Sequence, residues 1–184
     1  MAPTTIGTPG RVTVGDKDAG RVGAVAEHAT AKILTKAPAA VTVLHDLSIP
    51  GSPANIDHAV IVGSTVWLLD SKAWAPGWYV TLFGRTWRRW RPWTDQAGKH
   101  PGDKLTLPMA RDRLARILPA GVTIRCRLVV HSSSNKRACR LAWYRPKGAK
   151  AWSPARCQRW VERLAGRPAD PEIIAVLRPL VRTR

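Results

Sequence analysis

Asp57 and the triplet Asp70-Ser71-Lys72 are the residues of this chain whose type and spacing could do chemistry. They lie in two short apolar runs, "IDHAVIV" and "TVWLLDSK", separated by Gly63-Ser64. Such runs bounded by turn residues read as strands, and a two-residue break containing glycine reads as a hairpin turn. With that turn Val62 pairs with Thr65, and five steps on Asp57 stands opposite Asp70. Alternation along a strand sends Lys72 to the face of Asp70. Opposed Cβ atoms lie about 4.5–5.5 Å apart, so two carboxylates there repel. A lysine on that face offsets part of the cost, and a divalent cation offsets more. Oxygen ligands on a β scaffold suit Mg²⁺ or Mn²⁺, which keep several waters and accept phosphate oxygens. The competing reading is an ordinary ion pair at a sheet end, which is worth little.

The elements that must position these residues can be read from periodicity. "AGRVGAVAEHATAKILTK" (Ala19 to Lys36) places Val22, Ala26, Ala29 and Ile33 at helical spacing before Pro38. A β-branched run follows from Ala40 and ends at Pro50. The Asp57 and Asp70 runs are apolar on both faces, which predicts central strands covered by helices on both sides. Residues 78–91 predict a second hairpin turning at Gly84-Arg85, and residues 92–104 a loop. Thr106 is expected to cap a helix running to about Leu118, with Pro108 in its first turn. "GVTIRCRLVVH" and "ACRLAWYR" predict strands, and 154–165 and 171–182 predict helices. No internal repeat or low-complexity segment appears. The expected organisation is a flexible N-terminal arm over 1–18 and a core over 19–131. The extension 132–184, one strand plus two helices, would pack on that core.

Thirty Lys and Arg face twelve Asp and Glu, for a net charge of +18. Residues 1–72 hold six of each sign, so the whole excess lies in residues 73–184. That field attracts polyanions, with nucleic acid the first candidate, although a merely solvated basic surface fits the same count. The three cysteines, Cys126, Cys139 and Cys157, form no C-x-x-C pair, which argues against a disulfide framework or zinc site. With no apolar run of membrane-span length, a cytoplasmic protein is expected. No phosphate-cradling glycine loop of the P-loop type is present.

The order of these pieces resembles the PD-(D/E)XK nuclease superfamily, and within it the nuclease-related domain (NERD) family. The resemblance covers about residues 19–131. It is carried by the glycine-containing helix start with Glu27, by Ile56-Asp57-His58-Ala59-Val60, and by "LDSKAW", with Asp70 where many relatives have glutamate. It implies an α/β fold with a restriction-endonuclease-like α-β-β-β-α-β core, a central mixed sheet flanked by helices, a hairpin insertion and a C-terminal helical extension. It also implies a Mg²⁺-dependent (or Mn²⁺-dependent) nuclease that hydrolyses DNA. Asp57, Asp70, the Ser71 carbonyl and Glu27 would be the metal site, and Lys72 would orient the attacking water. The alternative is a catalytically inactive DNA-binding or accessory module on the same fold. Homo-oligomerisation is left open.

"TWRRWRPW" supplies a candidate nucleic-acid surface from Arg85, Arg88, Arg89, Arg91 and Trp90, since arginine binds phosphates and exposed indoles stack on unpaired bases. Packing of these tryptophans on the core is the competing reading. His58 points to the face opposite Asp57 and reads as a satisfied core histidine. His131 ends a strand and reads as part of a polar loop.

Overall fold

The hairpin around Gly63-Ser64 forms the centre of the protein. Gly63 takes a left-handed φ of 54° at the first turn position. From it β3 (Asn55–Val62) and β4 (Thr65–Trp74) run antiparallel, with Val62 paired to Thr65 and His58 to Leu69. The computed structural model describes residues 2–10, 18–83, 85–88, 91–92, 105–145 and 149–182. Before the hairpin come β1 (Thr4–Ile6), α1 (Asp18–Leu34) and β2 (Thr42–Ser48). After it come β5 (Gly77–Leu82), β6 (Arg85–Arg88), β7 (Arg91–Pro92), α2 (Thr106–Leu114) and β8 (Thr123–Ser132). The chain then forms β9 (Cys139–Trp143), β10 (Lys150–Trp152), α3 (Pro154–Glu162), α4 (Pro171–Leu177) and a 3-10 turn over Arg178–Leu180.

The fold is mixed α/β. Its main sheet has the order β1-β2-β3-β4-β8-β10. The β2–β3 and β3–β4 pairs are antiparallel, whereas β1–β2, β4–β8 and β8–β10 are parallel. Because β3 and β4 are central, alternate side chains enter two separate cores. Val60, Leu69 and Val129 pack with Leu34 of α1 and with Cys157 and Val161 of α3. Ala59, Leu68 and Val130 pack with Leu107 and Leu114 of α2 and with Ile173 and Leu177 of α4. Two-sided burial is the reason these strands read as continuous apolar runs.

A second sheet, β7-β6-β5-β9, continues from the end of β4. Trp74, Tyr79 and Tyr144 join the two sheets, with Trp74 5.1 Å from Tyr79 and 5.3 Å from Tyr144 between ring centroids. Tyr79 Oη donates to the Ala75 carbonyl. β5 pairs in parallel with β9, which lies far along the chain.

Several expectations are corrected. Thr4–Ile6 is no loose arm: it pairs in parallel with β2 at the sheet edge. Thr106 is not the cap of α2. Leu105 occupies that position without a side-chain hydrogen bond, and the helix stops at Leu114. The second hairpin pairs Leu82 with Arg85, one residue short of the expected turn, and Phe83 takes φ 49°. Gly84 itself lies outside the described residues. The tail helices are shorter than their apolar spacing suggested, but each enters through proline in its first turn, after Ser153 and Asp170 caps.

The capture of β1 depends on Gly7. Its φ is 82°, and a Cβ there would lie 2.6 Å from Val181 and 2.7 Å from the His45 carbonyl. Gly121 has φ 83° with open space around it. Gly7→Ala should therefore cost about 2–4 kcal/mol, and Gly121→Ala only about 1–2 kcal/mol of backbone strain. Urea unfolding of the two variants compares these costs directly, and equal losses would mean that β1 is not seated as described.

Candidate active site

The β3–β4 register, extended one step beyond His58–Leu69, sets Asp57 opposite Asp70. The Ser71 N–H donates to Asp57 Oδ2 at 2.6 Å, so the backbone of β4 grips the carboxylate of β3. Lys72 Nζ donates to Asp70 Oδ1, also at 2.6 Å. The Asp70 side chain keeps 10% of its exposure and Lys72 keeps 29%, so this ion pair is largely withdrawn from water but still reachable. Glu27 on α1 is near enough to act electrically on Asp57 and Lys72. Its Oε1 accepts from Gly10 N–H at 2.5 Å, which ties the segment after β1 to the helix.

Among the described residues, charge at this face does not balance. Burial, then the neighbouring Asp70, and more weakly Glu27, push the Asp57 pKa well above the usual aspartate value, against the pull of Lys72 and the Ser71 hydrogen bond. Burial works against the Lys72 ammonium, but Asp70 and Asp57 outweigh it and its pKa is raised. Lys72 is therefore a cation at neutral pH, suited to stabilising negative charge and not to acting as a base. Among the described residues the two aspartates, Asp57 and Asp70, share the Lys72 ammonium. Among the described residues no three His, Cys, Asp or Glu side chains gather closely enough to form a metal cluster on their own. The two aspartates and the Ser71 carbonyl are hard oxygen donors of the kind Mg²⁺ takes with water completing its shell, and their surplus negative charge fits a divalent cation.

Within that geometry the family comparison is decisive. The family model described as "Nuclease-related domain" (NERD) matches residues 22–113, half of the chain and the part that contains Glu27, Asp57, Asp70 and Lys72. The chain belongs to the NERD family. Comparison with curated proteins and with solved structures gives no match. Among the described residues no helix is long and apolar enough to cross a membrane.

Behind the acidic face of this NERD chain runs a buried polar chain on the α1 side of β4. Ser71 Oγ donates to Thr30 Oγ1 at 2.8 Å, and Thr30 in turn donates to the Ala26 carbonyl at 3.1 Å. His131 Nε2 lies 2.8 Å from Thr30 Oγ1 and must then be the donor. His58 Nε2 reaches Ser71 Oγ at 3.4 Å, and its Nδ1 stands 2.7 Å from Nδ1 of His45, so only one of the two imidazoles carries that proton. Burial lowers His131, His58 and His45, the last to about 4, and all three are neutral at pH 7. His58 is the satisfied core histidine its strand position predicts. His131 belongs to the polar chain rather than to a loop. Thr30 was missed by sequence reasoning, although a threonine four residues after Ala26 in an apolar helix stripe is the available signal.

Asp46 extends the acidic row one strand further, since the β2–β3 register sets it opposite Asp57. Its φ of 55° is strained for a non-glycine residue, and its Oδ1 accepts from Asn55 Nδ2 at 2.7 Å.

In the Arg/Trp hairpin, Arg88 pairs across the sheet with buried Tyr79 and hydrogen-bonds to it, on the face turned toward the main sheet. Arg85 and Arg91 lie on β6 and β7 by backbone, and their side chains fall outside what is described, as do Arg89 and Trp90 entirely. The three cysteines are free. Burial lifts Cys126 to about 11 and Cys157 to about 12, so neither thiol is a ready nucleophile.

The sign of the Asp57 shift gives a test. An unfolded aspartate ionises near 3.8, and folding raises that value. Between the two the folded chain binds the extra proton, so this residue lowers stability as pH rises through the window and keeps it lower at neutral pH. Asp57→Asn should therefore raise the metal-free Tm at pH 7 by about 2–4 °C, the shift ~1 kcal/mol gives a chain of this size. The gain should shrink as pH falls toward the ordinary aspartate range. Thermal melts in EDTA across pH measure it, and a lower Tm at pH 7 would refute the charge imbalance.

Proposed function

We propose that this NERD-family chain is a divalent-metal-dependent nuclease that hydrolyses DNA phosphodiester bonds at the face of Asp57, Asp70 and Lys72. The observation that carries the reading is the gathering of Asp57, Asp70 and Lys72 on one face, with Asp57 gripped by the Ser71 N–H and Lys72 bonded to Asp70, in a protein otherwise strongly basic. The run α1-β2-β3-β4 followed by α2-β8 supports a restriction-endonuclease-like core. Asp57, Asp70 and the Ser71 carbonyl would hold Mg²⁺ or Mn²⁺. When bound, that ion supplies Lewis-acid polarisation of the phosphate and a more acidic water. Lys72, held as an ammonium by Asp70, orients the attacking water and stabilises charge developing on the phosphate. Glu27 steadies a water at the rim of the face. Ser71 fixes the Asp57 carboxylate through its N–H, and Thr30 fixes Ser71 from behind.

Two observations favour a second reading, a NERD module that binds DNA without cutting it. The Glu27 carboxylate is engaged by Gly10 N–H, and no three-ligand cluster forms among the described residues. Plasmid nicking separates the two. Wild type should nick with Mg²⁺ or Mn²⁺ and stop with EDTA, while Asp70→Asn and Lys72→Ala should each lose about 10²–10³-fold. Equal nicking by all three proteins would place the activity elsewhere, and no nicking by wild type would favour the binding module.

DNA binding itself is assigned first to the Arg/Trp hairpin. Arg85, Arg89, Arg91 and Trp90 are its proposed contacts, with Arg88 contributing from the inner face. Substituting Arg89 and Arg91 with glutamine should lower the slope of log affinity against log salt by about 2 and weaken all sequences alike. An unchanged slope in a filter-binding titration would remove the hairpin from the interface.

A further inference from the structure

A second concentration of charge lies at the edge of β8, apart from the acidic face. Arg125 and Arg127 of β8, Arg111 of α2 and Lys150 at the start of β10 line a cavity of ≈ 420 Å³ together with Cys126. Strand β10 pairs only with Arg127–Val129, so the edge of β8 before Arg127 is left uncovered by that strand. Arg111 is paired with Asp112 at 2.9 Å, and among the described residues no acidic side chain lines the cavity.

Two of these cations, Arg125 and Arg127, lie over aromatic rings. The Arg127 guanidinium lies 4.8 Å from the Trp67 ring centroid and 4.9 Å from that of Trp152, and Arg125 stands 5.2 Å from Trp67. Trp160 closes the group against both indoles. Arg127 Nη1 donates to the Cys126 carbonyl at 2.7 Å, while its buried Nε finds no hydrogen-bond partner among the described residues. Burial, and then Arg125 and Arg156, lower the Arg127 pKa. Gathering like charges at a half-buried site is unfavourable unless a counter-charge joins them. Arginine forks match phosphate oxygens two at a time, and a guanidinium fixed between two rings loses little further freedom on binding.

We propose that this cavity is a phosphate-binding site for the sugar-phosphate backbone of a nucleic acid, lying outside the Asp57–Asp70 face. Arg125 and Lys150 are exposed and can meet a long strand, where an enclosed pocket would favour a small anion. Arg125 pairs with Trp67, three residues before Asp70 on β4. That offset is about 10 Å along the strand, and alternation turns Arg125 and Asp70 to opposite faces of the sheet, so the cavity is a separate contact and not a continuation of the acidic face. The proposal shares its ligand class with the nuclease reading but not the hydrolysis.

The test uses the full chain in EDTA, where binding is read without cleavage. Arg125→Gln with Lys150→Gln is compared with Arg116→Gln with Arg178→Gln, an exposed pair that removes the same charge elsewhere. Fluorescence anisotropy with a labelled single strand of about 20 nucleotides, and with its duplex, should show affinity falling about tenfold for the first pair, with the salt slope lower by about 1–2. The control pair should lose less than about threefold. Inorganic pyrophosphate should compete with the oligonucleotide on wild type and lose that effect with the first pair. Equal losses for the two pairs would overturn the site. Pyrophosphate binding that the first pair abolishes, with oligonucleotide affinity unchanged, would overturn the nucleic-acid assignment and leave a small-phosphate site. Nicking with metal is scored separately, so loss of this site and loss of catalysis are told apart.

Discussion

The register of β3 against β4 is the constraint on which the rest depends. A slip of one residue would send every side chain of one strand to the opposite face. Asp57 would then enter the core beneath α1, and His58 would leave the hydrogen bonds that satisfy it. The two-residue turn at Gly63-Ser64 fixes the pairing at one end, and Gly63 supplies the positive φ it needs. At the other end Ser71 N–H takes Asp57 Oδ2, so the strands are locked again where the carboxylates meet. Between them, Ala59, Ile61 and Leu68 on one face and Val60 and Leu69 on the other commit both faces to burial. Hydrophobic burial on two sides is what allows a repulsive carboxylate pair to persist at the strand ends.

The polar chain on the reverse of β4 bears on the same problem. Ser71 sits between Asp70 and Lys72, faces away from them, and still controls them through the backbone it shares. Its hydroxyl is tied to Thr30, and Thr30 to His131 and the helix carbonyl of Ala26, so α1, β4 and β8 meet at one hydroxyl. A fully satisfied buried network of neutral groups is rigid, since each broken bond would leave a polar group unpaired. Its neutrality has a limit in acid. His45 titrates in the fold at about 4 against an ordinary 6.5, so the unfolded chain takes up its proton first and stability drains as pH falls through that interval. Asp57 opposes this trend, because its own contribution improves as it protonates. The site and its support thus respond to acid in opposite directions.

Much of this was legible in the residues. The helix of Glu27, the strands of Asp57 and Asp70 and the long strand ending at His131 all showed apolar spacing punctuated by glycine and proline. Pairing across a two-residue hairpin is arithmetic, so Asp57, Asp70 and Lys72 could be placed on one face before any coordinates. What escaped depends on contacts distant in sequence. Thr4–Ile6 is three residues long and gains its partner only because β2 offers a parallel edge. The β5–β9 pairing joins segments some 60 residues apart, and nothing local marks it. The Thr30–Ser71 link and the Gly10–Glu27 contact join a helix to a strand and to an N-terminal segment, a relation that periodicity does not encode. A run of arginines likewise does not encode the cross-strand pairing that sets Arg88 beside Tyr79.

Opposite charges also set opposite conditions for a phosphodiester. At Asp57 and Asp70 the approaching phosphate meets two carboxylates and one ammonium, and the ammonium is already engaged by Asp70. Without added positive charge that face repels what it would have to bind. At the β8 edge the sign is reversed, since Arg125, Arg127 and Lys150 are gathered there. On the proposed reading the first place takes a cation and the second an anion, and a nucleic acid held at the second would bring its divalent counterions toward the first. A neutral N-terminal segment with a buried acidic row, followed by a segment carrying the entire +18, is the electrostatic arrangement that this reading requires.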